Sequence, residues 1–81
     1  MNESACAAEQ QAVRRILADN VRRLRGERGW TQEGLAFECE LHRTFVAHVE
    51  REVRNISIDN IVKLAYALGV PAYQLLTPVT S

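Results

Sequence analysis

An all-α fold, a compact bundle of five helices, is predicted by three observations on this sequence. Apolar residues recur at i, i+3 and i+4 along most of the chain, and no segment shows strand-like alternation. Residues that start and stop helices fall at the ends of these periodic segments.

The first helix is predicted from Ala8 to about Arg28, with Ala12, Val13, Ile16, Leu17, Val21 and Leu24 on one apolar face. Residues 1–7 read as a flexible N-terminal tail. Gly26 and Gly29 loosen the helix end, and Trp30 is expected to anchor the next element. Thr31 opens a second helix: its hydroxyl can cap the free amides of Gln32, Glu33 and Gly34, and Glu33 places an acid in the first turn. Leu35, Ala36 and Cys39 form its inner face, and a break follows around Cys39, Glu40, Leu41 and His42. A third helix turns Phe45, Val46 and Val49 inward and leaves Arg43, Thr44, Ala47 and His48 outward. A loop runs to Ser57, the expected N-cap of a fourth helix with Asp59 in its first turn. Ile58, Ile61, Val62, Leu64, Ala65 and Leu68 make that helix apolar on much of its circumference, which predicts a central position. Gly69 suits the left-handed residue that closes a helix. Pro71 can open a fifth helix ending near Leu76, because its missing N–H would be unpaired there anyway. Pro78 stops it, so one domain spans residues 8–77 and a C-terminal tail spans 78–81.

At 81 residues the chain is near the size where one core is thin and oligomerisation supplements it. Val70, Tyr73 and Leu76 leave more apolar surface than a small monomer needs and predict a symmetric homodimer contact, whereas Leu75 completes the core. No apolar run approaches the ~18 residues of a membrane span, and the acidic start lacks a signal peptide's basic region. A cytoplasmic protein without a membrane role is expected. Cys6 and Cys39 show neither CxxC nor metal-ligand spacing, so no disulfide, metal or cofactor is predicted. Cys39 reads as a small buried residue and Cys6 as a thiol on the mobile tail.

Net charge is zero, yet nine of the ten bases are arginine, the side chain suited to bidentate contacts with phosphate and guanine. Six of them, Arg14, Arg15, Arg22, Arg23, Arg25 and Arg28, share one segment with Glu9, Asp19 and Glu27. Pairing along a solvated helix accounts for roughly half of these, and a basic face opposite an acidic one is expected. The second and third helices are too short to stand alone in water and must pack on the rest. The outward face of the third is a row of hydrogen-bonding groups with one small residue, the shape of a reader of DNA base edges. There is no Ser/His/Asp or Cys/His constellation, no phosphate-cradling glycine loop and no carboxylate pair in a pocket, which argues against an enzyme.

The stretch LRGERGWTQEGLAFECELHRTFVAHVE, followed by RNISIDNIVKLAYALGV, resembles the Cro and phage-repressor (XRE) class of helix-turn-helix regulators. Within it, His42-Arg43-Thr44-Phe45, Arg54-Asn55-Ile56-Ser57 and Asn60-Ile61 resemble the controller proteins of restriction–modification systems. The resemblance covers roughly residues 16–76 and implies a lambda-repressor-like bundle with the helix-turn-helix at helices two and three. It implies base contacts from Arg43, Thr44, Ala47 and His48, with Arg43 bidentate to a guanine and worth ~1–3 kcal/mol of discrimination. It implies phosphate contacts from Gln32, His42, Arg51, Arg54 and Asn55, and an Arg25–Glu50 pair tying helix one to helix three. The implied partners are a near-palindromic double-stranded DNA operator, a second copy of the chain and RNA polymerase.

The sequence departs from this class at two corners. Glu40 and Glu52 stand where glycine is usual, so either the turns differ or a left-handed glutamate is tolerated at ~1 kcal/mol per site. Glu52 also adds a negative charge beside Arg51 and Arg54, which is expected to weaken non-specific DNA binding. Gly34 stands where a better helix former is usual. The neutral charge and the two extra glutamates keep a second reading open: an antitoxin or phage-type repressor whose main role is to bind a partner protein.

Overall fold

The computed structural model describes residues 3–79. Helix α1 spans Glu3–Glu27, α2 Gln32–Cys39, α3 Arg43–Glu50 and α4 Ile58–Leu68, and a 3-10 helix follows over Ala72–Leu76. The expected fifth α-helix is therefore a 3-10 turn, with Pro71 outside it at the cap in extended conformation. Pro78 and Val79 follow without helical structure, and residues 80–81 of the expected C-terminal tail lie outside the described residues. At the other end α1 begins five residues before Ala8, so residues 3–7 of the expected tail are helical, while residues 1–2 lie outside the described residues. Cys6 is accordingly a half-buried helical residue, not a tail thiol.

Side-chain oxygens start two of the helices. Thr31 Oγ1 accepts from the Gly34 amide at 2.9 Å to open α2, and Ser57 Oγ accepts from the Asn60 amide at 3.1 Å to open α4. All four α-helices close the same way, by a Schellman turn whose left-handed residue is Gly29, Glu40, Glu52 or Gly69, with φ of 70°, 58°, 64° and 75°. In each, the following amide reaches back five residues: Trp30 to Arg25 O, Leu41 to Ala36 O, Val53 to His48 O and Val70 to Ala65 O, at 2.9–3.2 Å. The helix-turn-helix corners thus keep the glycine geometry with glutamate in it. A left-handed L-residue brings Cβ close to the next carbonyl.

The core gathers Leu17, Val21 and Leu24 of α1, Leu35, Ala36 and Cys39 of α2, Val46 and Val49 of α3, Leu64, Ala65 and Leu68 of α4, and Leu75. Burial pushes the Cys39 thiol up to about 11, so at neutral pH it is a protonated, unreactive packing group. Helix α4 is not apolar-buried all round as expected: Ile58, Val62 and Tyr66 are exposed at 78%, 48% and 88%. Their i, i+4, i+8 spacing forms a stripe that the other described residues leave uncovered.

Two polar groups inside the bundle do most to fix its parts. Asn20 is almost fully buried on α1; its amide donates to the carbonyls of Leu75 (2.9 Å), Thr77 (3.0 Å) and Gln74 (3.2 Å). It thereby caps the C-terminal turn. Glu50, at the end of α3, is 3% exposed. Arg25 of α1 grips it with Nε at 2.7 Å and Nη2 at 2.9 Å, and Gln32 of α2 donates Nε2 at 3.1 Å. Arg22 donates to the Glu50 carbonyl. The Glu50 hydrogen bond holds the Arg25 guanidinium above its ordinary pKa, so Arg25 keeps its charge in this partly buried position.

Glu40→Gly is expected to stabilise the fold by about 0.5–1 kcal/mol, the relief of the left-handed Cβ less the added freedom of the unfolded chain. Glu52→Gly should gain less, because the Glu52 side chain holds Gln11 and Arg15 of α1. Urea unfolding midpoints of the two variants test this order. Arg25→Ala should cost about 3–5 kcal/mol, since it strands a buried carboxylate. In the same unfolding assay, a cost below 1 kcal/mol, the usual ceiling of a surface pair, would reject the node.

Candidate nucleic-acid interface

Helix α3 is presented by a short corner. Leu41 is half-buried against the core, and His42 caps the helix, its Nδ1 accepting from the Thr44 amide at 3.1 Å. Val46 and Val49 face the core with Phe45 partly buried beside them, so the opposite side of α3 faces outward. Arg43, Thr44, Ala47 and His48 line one concavity of about 640 Å³ together with Thr31, Gln32 and Arg51. All four residues expected to contact bases are therefore on one open surface, bordered by the start of α2. No helix of the described residues is long and apolar enough to cross a membrane, and none of their His, Cys, Asp and Glu side chains cluster as a metal site would.

Several expected phosphate contacts have work within the protein. Gln32 is tied to Glu50, and His42 to its own helix start. Arg54 folds back over α3, its guanidinium 5.3 Å from the Phe45 ring centre and 3.3 Å from His48 Nδ1. Arg51 and Asn55 are exposed. At the mouth of the concavity Glu33 stands 3.6 Å from Arg43, an exposed pair that salt and a competing anion readily displace.

The expected penalty from Glu52 is not where the sequence reading placed it. Its carboxylate points to α1, 3.4 Å from Gln11 Nε2 and 3.7 Å from Arg15 Nε, rather than toward Arg51 and Arg54. The arginine cluster of α1 also differs from a free basic face. Arg15, Arg22, Arg23 and Arg25 meet Glu52, Asp19, Glu27 and Glu50 respectively, while Arg28 donates to the Leu68 carbonyl and stacks on Trp30. Arg15, Arg22, Arg25 and Arg28 thereby tie α1 and its end to other parts of the bundle, whereas the partners of Arg23, Asn20 and Glu27, lie on its own helix.

Of the residues expected at a dimer contact, Tyr73 and Leu76 are exposed at 73% and 40%, whereas Val70 is half-buried and packs on the core. Sequence reasoning missed Asn20 altogether. A lone Asn within an apolar helix face was the available signal, since a buried amide there needs partners from another element. It also missed the exposed stripe on α4, whose apolar spacing alone does not tell covered from uncovered.

Residues 21–75 match the helix-turn-helix family. Curated relatives include a hypothetical transcription factor of Neisseria meningitidis serogroup B, 53% identical over 86% of this chain, and control protein C.BamHI of Bacillus amyloliquefaciens, 46% identical over 79% of it. The chain spans 66% of the length of the Neisseria protein and 80% of C.BamHI. Among solved structures, the Neisseria factor superposes with a TM-score of 0.81 at 54% identity, covering 85% of this chain and 79% of that one. The restriction–modification controller protein C.AhdI of Aeromonas hydrophila superposes with a TM-score of 0.75 at 42% identity, covering 79% and 97%. With this match across most of its length, and with α2 and α3 arranged as described, the chain belongs to the helix-turn-helix family.

Proposed function

We propose that this chain is a sequence-specific DNA-binding transcriptional regulator, a controller protein of a restriction–modification system that acts in the cytoplasm as a homodimer. The observation that carries the reading is the outward face of α3, where Arg43, Thr44, Ala47 and His48 share one concavity beside the start of α2. A helix of eight residues is about 12 Å long, short enough to lie within one major groove. The similarity to C.BamHI and to C.AhdI supports the controller role, and RNA polymerase is then a further partner at the regulated promoter.

In this reading Arg43 and Thr44 meet base edges first, with Ala47 and His48 one turn further on. Gln32, His42, Arg51, Arg54 and Asn55 contact phosphates, the exposed Arg51 and Asn55 most simply. Tyr73 and Leu76 form the dimer contact, with Val70 supporting it from the core side. Two copies then read a near-palindromic operator with half-sites about one helical turn apart.

Another reading has one observation in its favour. The uncovered stripe Ile58, Val62 and Tyr66 offers apolar surface to a protein partner, as an antitoxin or partner-binding repressor would need.

Selection of bound sequences from a random DNA pool should return a two-fold symmetric site, bound with a steep negative log–log salt slope. Arg43→Ala should lose preference for that site while keeping the wild-type unfolding midpoint; retained preference would reject α3 as the reader. Tyr73→Asp combined with Leu76→Asp should convert the dimer to monomer in light scattering and weaken operator binding at least tenfold. An unchanged mass would place the dimer contact elsewhere.

A further inference from the structure

Arg54 lies beyond α3, two residues past its left-handed closing residue, yet its side chain turns back onto the helix. Its guanidinium carbon is 5.3 Å from the centre of the Phe45 ring, and Nη1 is 3.3 Å from Nδ1 of His48. The first contact holds the guanidinium over an aromatic face, a favourable cation–π placement. The second has a chemical consequence. A guanidinium carries N–H donors and no acceptor, so Nδ1 of His48 must be the acceptor of this bond. An imidazole that accepts at Nδ1 is neutral and carries its proton on Nε2. His48 belongs to the same concavity as Arg43, Thr44 and Ala47. The ring nitrogen left for a ligand there is a donor.

We propose that Arg54 is a positioning residue that fixes the hydrogen-bond polarity of His48, so that His48 reads its base pair as a donor through Nε2–H. This rests on α3 being the DNA-reading helix and adds which base edges suit it. In the major groove, guanine N7 and O6, adenine N7 and thymine O4 are acceptors, whereas cytosine presents an amino group. His48 therefore selects an acceptor edge and rejects cytosine on the contacted strand. Arg54 keeps further N–H groups free for a phosphate, so positioning and backbone contact are compatible. The specificity arises from the bond it makes to His48.

Two measurements on the full chain test this, with Arg54→Met as the key variant because it keeps an unbranched aliphatic stem and removes every side-chain donor. Long-range proton–nitrogen correlation of the imidazoles in the DNA-free protein should show His48 protonated on Nε2 and bare on Nδ1. Arg54→Met should give a mixture of the two neutral forms. A wild-type His48 protonated on Nδ1 overturns the inference, whatever the protein does with DNA. In parallel, binding is measured on the selected operator and on each of its single base-pair variants. His48→Ala identifies the base pair that His48 reads, and an acceptor is expected at the contacted edge. Arg54→Met should relax preference at that same pair by on the order of tenfold, about the loss of one charge-linked hydrogen bond, and leave the other positions unchanged. A uniform loss across all variants, with the salt slope shallower by about one, would make Arg54 a phosphate contact only and overturn the inference. If the wild-type protein enriches no sequence, the DNA-reading assignment of α3 falls and this inference with it. In that case the imidazole spectrum shows separately whether the Arg54–His48 bond exists.

Discussion

The polar contacts that orient α3, the helix proposed to read DNA, converge on the carboxylate of Glu50. It is buried at the end of α3 and receives Arg25 from α1 and Gln32 from α2, while Arg22 takes the backbone carbonyl of the same residue. A buried carboxylate is costly unless fully partnered, and here three elements must be in register to partner it. This makes the node a device of geometry rather than of net stability. An apolar residue at position 50 could fill the space, but it would not specify how α1, α2 and α3 meet. The eight-residue α2 and α3, too short to persist alone, inherit their orientation from it.

Much of this was legible in the sequence, and the failures have identifiable causes. The caps Thr31 and Ser57, the inward Val46 and Val49 and the outward Arg43 and Thr44 follow from local chemistry and periodicity, and the structure keeps them. The helix ends at Glu40 and Glu52 could be suspected only through resemblance to a class in which glycine is expected there, because glutamate carries no propensity for left-handed backbone. What decides them is the capping pattern of the Schellman turn, a demand of the folded chain on whatever residue arrives. Helix α4 was misjudged for a different reason. Apolar spacing reports which residues could be buried, and among the described residues no element covers the face of Ile58, Val62 and Tyr66. The fifth helix failed on length: six residues between two prolines leave little room for the longer i to i+4 ladder to become established.

The charge distribution shows how composition alone misleads. Zero net charge and a run of arginines suggest opposite things about a nucleic-acid partner. In the folded chain four of the α1 arginines meet carboxylates and Arg28 closes onto the α4 terminus, so this segment is mostly internal fastening. Apart from Arg14 and Lys63, the remaining bases, Arg43, Arg51 and Arg54, lie on α3 and the loop after it. A surface of that kind favours discrimination between sequences over indiscriminate attraction to polyanions, because fewer counterions are released on binding.

Asn20, Arg22 and Arg25 fall within about one and a half turns of α1, a rise of about 7.5 Å. The first holds the C-terminal turn that carries Tyr73 and Leu76, and the other two hold the end of α3. One stiff stretch of backbone therefore works as a ruler between the proposed dimer contact and the proposed DNA contact. In such a dimer the separation of the two reading helices is set by helix geometry and not by a pliable loop. For such a dimer, an operator whose half-sites are one base pair too near or too far would have to bend or twist to fit.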